Sequence, residues 1–329
     1  GSESNTNSAG TSSGQVKVYE YVNGSWTQLG QNIDGSSANN AFGKAIDIND
    51  QGDVIAVSEP YNNTSSSLTT NGRVRIFEYT DGSWIQKGDN IDGQYSNLQS
   101  GHSIDLNASG DRIAVGSGNI NTTYEGFAAV YEFSNDSWQQ IGSNIYGEND
   151  DDNSANYLNH TISLNSNGDR IAIGAGLNDG NGENSGHVRV FEYTNNNWSQ
   201  LGQNLNGEAS NDVFGRVVAL NSVGNRLAIG TNNNDGNGDN SGHVRIYKLL
   251  NNSWVQIGDD IDGEAAGDGS GYDLAFNNSG DIVAIGGYQN DGSGLDAGHV
   301  RVYQINTTAE GTISYTWTND NTDIGLAAS

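Results

Sequence analysis

Short runs of alternating apolar and polar residues fill the chain, and no stretch keeps an extended helical period. One run occurs six times. It reads Lys17-Val18-Tyr19-Glu20-Tyr21, Arg75-Ile76-Phe77-Glu78-Tyr79, Val130-Tyr131-Glu132-Phe133, Arg189-Val190-Phe191-Glu192-Tyr193, Arg245-Ile246-Tyr247 and Arg301-Val302-Tyr303. Its aromatic markers at 19, 77, 131, 191, 247 and 303 are spaced by 58, 54, 60, 56 and 56 residues. Two further markers keep the same step. One is a tryptophan at Trp26, Trp84, Trp138, Trp198 and Trp254; the other is a glycine before an apolar run at Gly52, Gly110, Gly168, Gly224 and Gly280. A period of this length is the signature of a repeat architecture.

Each unit resolves into four short segments, here called a, b, c and d. In one unit they are Gly101–Leu106, Arg112–Gly116, Ala128–Phe133 and Ser137–Ile141. These have strand lengths and strand compositions, and Gly, Asn, Asp and Ser punctuate the gaps. Four strands per repeat predict an all-β fold, a β-propeller of four-stranded blades. The propeller is expected over residues 15–305, after a loop-like segment at 1–14. Residues 306–329 are a linker, a closing strand or the start of a further module. Segment c occurs six times and segments a and b five times. Six blades are favoured if Ser2–Asn5 and Asp323–Ala327 complete one blade between them; five or seven are the alternatives. The tryptophan of strand d is expected to pack between blades.

Composition narrows the class. The chain has 329 residues, with 13 basic and 40 acidic ones, so 13 − 40 gives a net charge of −27. So few scattered Lys and Arg build no phosphate-neutralising face, which argues against nucleic acid. The same deficit argues against an anionic membrane surface, and no run of about 18 apolar residues predicts membrane insertion. Cysteine and methionine are absent. That removes disulfides, thiolate metal sites and cysteine nucleophiles. Hydrophobic residues make up only 33% of the chain, a content that blades covered on both faces use efficiently.

The a–b links repeat an Asn start and a late glycine, as in Asn165-Ser-Asn-Gly-Asp169, and read as tight turns closed by a left-handed residue. The b–c links are longer: Asn178-Asp-Gly-Asn-Gly-Glu-Asn-Ser-Gly-His187, Asn234-Asp-Gly-Asn-Gly-Asp-Asn-Ser-Gly-His243 and the looser Asn290–His299. Hard oxygens alternate with glycine at Asp179, Asn181, Glu183, Asp235, Asn237 and Asp239, with Asp291 opening the third copy. Calcium needs six to eight such oxygens on a loop that curls. These seven residues are the candidate metal ligands and Ca²⁺ the candidate cofactor; solvent-exposed turns are the alternative. His187, His243 and His299 each open a strand c, where a hydrogen bond to a neighbouring turn is expected rather than a shared metal. The d–a links carry acids, as in Asn206-Gly-Glu208 and Asp262-Gly-Glu264. No nucleophile elbow, zinc motif or phosphate loop is present. A carboxylate pair for glycoside chemistry needs only spatial proximity. Asn-x-Ser/Thr sequons such as Asn23, Asn107, Asn135 and Asn197 follow from the composition.

Phe42-Gly43-Lys-Ala-Ile-Asp, followed by Gly52-Asp-Val-Ile-Ala-Val-Ser-Glu-Pro60 and Gly72-Arg-Val-Arg-Ile-Phe, resembles an FG-GAP repeat, and Phe214-Gly215 repeats the opening. The resemblance covers about residues 15–305 and implies an integrin-α-like β-propeller. Blades of that family often carry calcium between their first two strands. Here that link is too short for a full cage, so the b–c candidates rest on their own chemistry. The tail Ile313–Ser329 is similar to the opening of a PKD-like module of bacterial surface adhesins. With the start at Gly1-Ser2, this implies a piece of a larger multidomain chain.

The expected function is a non-enzymatic, extracellular binding or adhesion module at the cell surface. It would recognise a glycan or a cell-surface protein, with calcium ordering its loops. The alternatives are a propeller-fold polysaccharide-degrading enzyme and a structural spacer or filament component.

Overall fold

The computed structural model describes all residues except 65–67, 119–125, 149–160, 293, 308–312 and 317–329. Its described residues form strands, turns and loops, with no helix. The chain divides into two compact units. The described residues of the first lie within Gly1–Tyr146; those of the second are Gly147, Glu148 and residues 161–292, 294–307 and 313–316.

The fold is an all-β propeller of five blades, each built on a four-stranded antiparallel meander; in blades 1, 3 and 4 a two-residue strand after strand d (Ile91–Asp92, Leu205–Asn206 and Ile261–Asp262) also pairs with strand c. In the first unit, blade 1 comprises strands Ile46–Ile48, Val54–Glu59, Arg73–Thr80 and Ser83–Gln86, and blade 2 comprises Ile104–Leu106, Arg112–Ser117, Phe127–Ser134 and Ser137–Tyr146. In the second unit, blade 3 comprises Ile162–Leu164, Arg170–Ala175, His187–Thr194 and Asn197–Gln200. Blade 4 comprises Val217–Leu220, Arg226–Thr231, His243–Leu250 and Ser253–Gln256. Blade 5 comprises Ser270–Phe276, Ile282–Gly287, His299–Thr307 and Ile313–Thr316. Ahead of blade 1, Tyr19–Val22 pairs with Ser25–Gln28, a c–d hairpin, and Ser2 bridges Gln15.

Five complete blades therefore stand, one of the counts the repeat allows. Ile313–Thr316, inside the stretch resembling a PKD-like opening, pairs with His299–Thr307 as a fourth strand. The candidate closing strand at 323–327 lies outside the described residues.

Strands b are buried along nearly their whole length in blades 1 to 4. Val54, Ala56 and Ile76 of blade 1 meet Ile113, Val115 and Trp138 of blade 2 in one core cluster. Ala172 and Val190 of blade 3 meet Leu227, Ile229 and Trp254 of blade 4. Val244 and Ile246 of blade 4 meet Val283, Ile285 and Tyr303 of blade 5. Blade 4 thus buries both faces, which is how a chain one-third apolar excludes water there. Trp84, Trp138, Trp198 and Trp254 are buried as expected. Trp26 is not: it is 69% exposed on the c–d hairpin, with its ring 5.2 Å from that of Tyr21.

The a–b turns form as read. Asn165 Oδ1 accepts from the backbone N–H groups of Asp169 and Arg170 at 3.0 and 2.9 Å. Gly168 takes φ 65°, a left-handed conformation that glycine adopts without steric cost.

Candidate ligand-binding site

In blades 3 and 4 the b–c loop lies against the link that follows strand d. Asn181 Nδ2 donates to the carbonyl oxygens of Gly207 and Glu208 at 2.8 and 3.1 Å. Asn237 Nδ2 donates to those of Gly263 and Glu264 at 2.8 and 2.9 Å. The approach is so close that a Cβ on Gly207 would overlap the Ser185 carbonyl oxygen, and one on Gly263 the Ser241 carbonyl oxygen. Only glycine permits it, and the glutamate that follows is thereby set beside the next blade.

Those glutamates meet strand c of that blade. Glu208 pairs with Arg245, which also binds Asp260 at 3.0 Å. Glu264 stands 3.8 Å from both His299 Nδ1 and Arg301. Glu148 stands 3.8 Å from both His187 Nδ1 and Arg189, and accepts from Asn204 Nδ2 at 3.1 Å. The three histidines therefore occupy three separate niches, each with its own acid. Burial lowers the His243 pKa against the opposing pull of Asp260, Asp262 and Asp212. Burial pushes Asp260 up, but the hydrogen bond and charge of Arg245 outweigh it and hold the carboxyl below its usual range.

Glu208, His243 and Asp260 bring possible metal-ligand atoms within 4.8 Å of one another. Arg245 already lies on both carboxylates, so a cation there would have to displace a guanidinium. None of the Asp and Glu residues named as metal candidates joins this group. Instead Asp179, Asp235 and Asp291 cap their own loops. Their Oδ1 atoms accept from the backbone N–H groups of Asn184, Asn240 and Asp296 at 2.7, 2.8 and 2.8 Å. Asn181 and Asn237 tie loop to link, as described above, and Glu183 and Asp239 are exposed.

One of the seven, Asp291, lines an open cavity of about 360 Å³ between the b–c loops of blades 4 and 5. Asn232, Asn233 and Asn240 contribute from blade 4, Ala266 and Gly267 from the following link, and Tyr288, Gln289 and Asp296 from blade 5. Tyr288 is half-exposed. Its ring centroid lies 4.4 Å from that of Tyr272, and the Arg216 guanidinium sits 4.3 Å from the Tyr272 ring centroid. Gly269 leaves room for the Tyr288 ring, because a Cβ there would come within 2.6 Å of it. Asn232 is 8% exposed, and its Oδ1 is buried without a hydrogen-bond partner.

The sequence reading missed Asn232, Tyr288 and Asp296, and it missed the link Glu as partner of His-x-Arg. A signal for the second was present. Glu148, Glu208 and Glu264 follow a glycine only in the repeats preceding His187-x-Arg189, His243-x-Arg245 and His299-x-Arg301; Ser36 and Gln94 occupy that place before Arg73-x-Arg75 and Phe127-x-Ala129.

The arrangement defines a β-propeller with a polar cavity among its b–c loops. No family model matches the chain, and no curated protein is significantly similar to it. Several solved structures are similar in fold. A hypothetical selenium-binding protein from Sulfolobus tokodaii aligns with TM-score 0.50 and 10% identity over 80% of this chain and 63% of its own. A 6-phosphogluconolactonase-like protein of Bacteroides fragilis NCTC 9343 aligns with TM-score 0.48 and 12% identity over 96% of this chain and 92% of its own. The Dos1 propeller aligns with TM-score 0.48 and 13% identity over 83% of this chain and 59% of its own. At such identities the likeness is one of fold alone.

Proposed function

We propose that the protein is an extracellular, non-enzymatic binding module of a cell surface, and that it recognises glycans through the cavity between blades 4 and 5. The observation that carries this reading is the cavity's make-up. Three Asn and one Gln supply amide groups, and a held tyrosine ring offers an apolar face. Sugars present the matching chemistry, with hydroxyls around the edge and C–H groups on the ring face. The reading extends to adhesion as part of a larger chain, consistent with the FG-GAP and PKD-like resemblances. Calcium enters as an accessory: the exposed b–c carboxylates at Asp179, Glu183, Asp235, Asp239 and Asp291, with Asn181 and Asn237, are the groups that would take it up.

Binding to an array of oligosaccharides tests the reading. Signal on one glycan class, lost in Tyr288→Ala, is the expected result. A blank array for the intact protein would remove the glycan assignment.

A polysaccharide-degrading enzyme is the second reading, favoured by one observation. Asp291 and Asp296 both line the cavity, and paired carboxylates can cleave glycosidic bonds. Product release from a polysaccharide, abolished by Asp291→Asn, would replace the first reading with this one.

A further inference from the structure

We infer that the cavity between blades 4 and 5 takes a sugar bearing a protonated amine, a hexosamine with a free amino group. The inference rests on the glycan reading and names the ligand class for that site.

The cavity is rich in acceptors. Asp291 and Asp296 supply carboxylates, and no Lys, Arg or His lines it. Asp291 spends Oδ1 on the Asp296 N–H; an ionised carboxylate has further lone pairs to give. Asn232 Oδ1 is buried and takes no hydrogen bond. A buried acceptor left unpaired is costly, and a turn of the Asn232 amide toward the cavity it lines would let a ligand donor recover that free energy. An ammonium group offers three donors and no acceptor, the complement of such a surface. Its bonds to carboxylate are charge-assisted.

The aromatic wall points the same way. Tyr288 is held by Tyr272 on one side and by close contact with Gly269. A preorganised ring attracts a cation over its face and stacks on a sugar's C–H groups. Uronates and sulfated sugars would instead bring negative charge to two carboxylates on a chain of net charge −27.

Calorimetry with three short oligosaccharides of equal length tests the inference: fully deacetylated glucosamine oligomers, their N-acetylated counterparts and uronate oligomers. The deacetylated oligomer should bind, and the other two should bind at least about tenfold more weakly. Tyr288→Ala, Asp291→Asn and Asn232→Leu should each weaken it by about tenfold, with circular dichroism unchanged. If the variants bind the cationic oligomer as tightly as the intact protein, net charge alone attracts it and the inference falls. If N-acetylated oligomers bind as well or better and Tyr288→Ala abolishes that, the amine is wrong while the glycan reading survives. If none of the three binds and the wider array is also blank, both fall.

Discussion

Trp254 Nε1 donates to the Leu201 carbonyl oxygen at 2.9 Å, tying strand d of blade 4 to the end of strand d of blade 3. Gly202 follows Leu201 because a Cβ there would come within 2.7 Å of the indole. Trp84 makes the same bond to Leu29 at 2.9 Å, and Trp138 to Lys87 at 2.8 Å. One contact is thus repeated down the chain. Trp254→Ala should cost about 3–5 kcal/mol, as loss of a buried large aromatic does. Trp26→Ala should change stability by less than about 0.5 kcal/mol, since that ring is exposed. Urea unfolding midpoints of the two variants check the contrast.

The a–b turn is a second local anchor. Asn165→Ala removes the acceptor for two backbone N–H groups. The expected loss is about 1 kcal/mol, the low end of the cost of leaving donors unpaired, because the two bonds are only partly buried. Gly168→Ala should add a similar loss of about 1 kcal/mol, because its φ of 65° disfavours a side chain. Chemical denaturation of both variants measures it.

Arg245 holds two acids together, Glu208 and Asp260. Arg245→Met should destabilise by about 2 kcal/mol, below the roughly 3–5 of a fully buried pair because Glu208 is half-exposed. Adding Asp260→Asn to that variant should recover part of the loss, since one unpaired charge is then gone. A double-mutant cycle on unfolding free energies gives the coupling, and full additivity would contradict it.

Acid should weaken the first unit through His102. Burial, aided by the nearby Lys44 charge, lowers its pKa from 6.5 to about 4. The imidazole is therefore neutral when folded and charged when unfolded between those values. In that window the unfolded chain binds more protons, so stability rises with pH and falls on acidification. The contribution is fully present above pH 6.5 and lost progressively down to about pH 4. The total loss is about 3 kcal/mol at 1.36 kcal/mol per unit. His102→Gln should flatten this part of the stability–pH curve, and a slope unchanged by the substitution would assign it to other groups.

Much of the fold was legible because its causes are local. The short apolar runs set strands b, and Val54–Glu59 is buried from end to end, with Val54 and Ala56 in one cluster and Ile55 and Val57 in another. The Asn-x-x-Gly-Asp turns were legible because Asn165 bonds to residues four and five positions ahead. Trp26 broke the rule for a non-local reason. Its sequence context matches that of the other tryptophans, yet it sits on the hairpin that precedes the first complete blade, where it stays exposed beside Tyr21. In the b–c loops the structure adds contacts that the residue pattern does not carry. Asn181 reaches 26 residues ahead to Gly207 and uses its amide nitrogen, a donor, on a backbone carbonyl.

By itself the sequence determined the strand pattern, the turn chemistry and the repeated blade, because each depends on residues within a few positions of one another. Only the tertiary structure decided which loops meet. Asn232 and Asp291 line one cavity although 59 positions (291 − 232) separate them. Glu208 reaches Arg245 because Gly207 lets two backbones touch. Such meetings depend on how neighbouring blades stack, and no periodicity within a single blade encodes that.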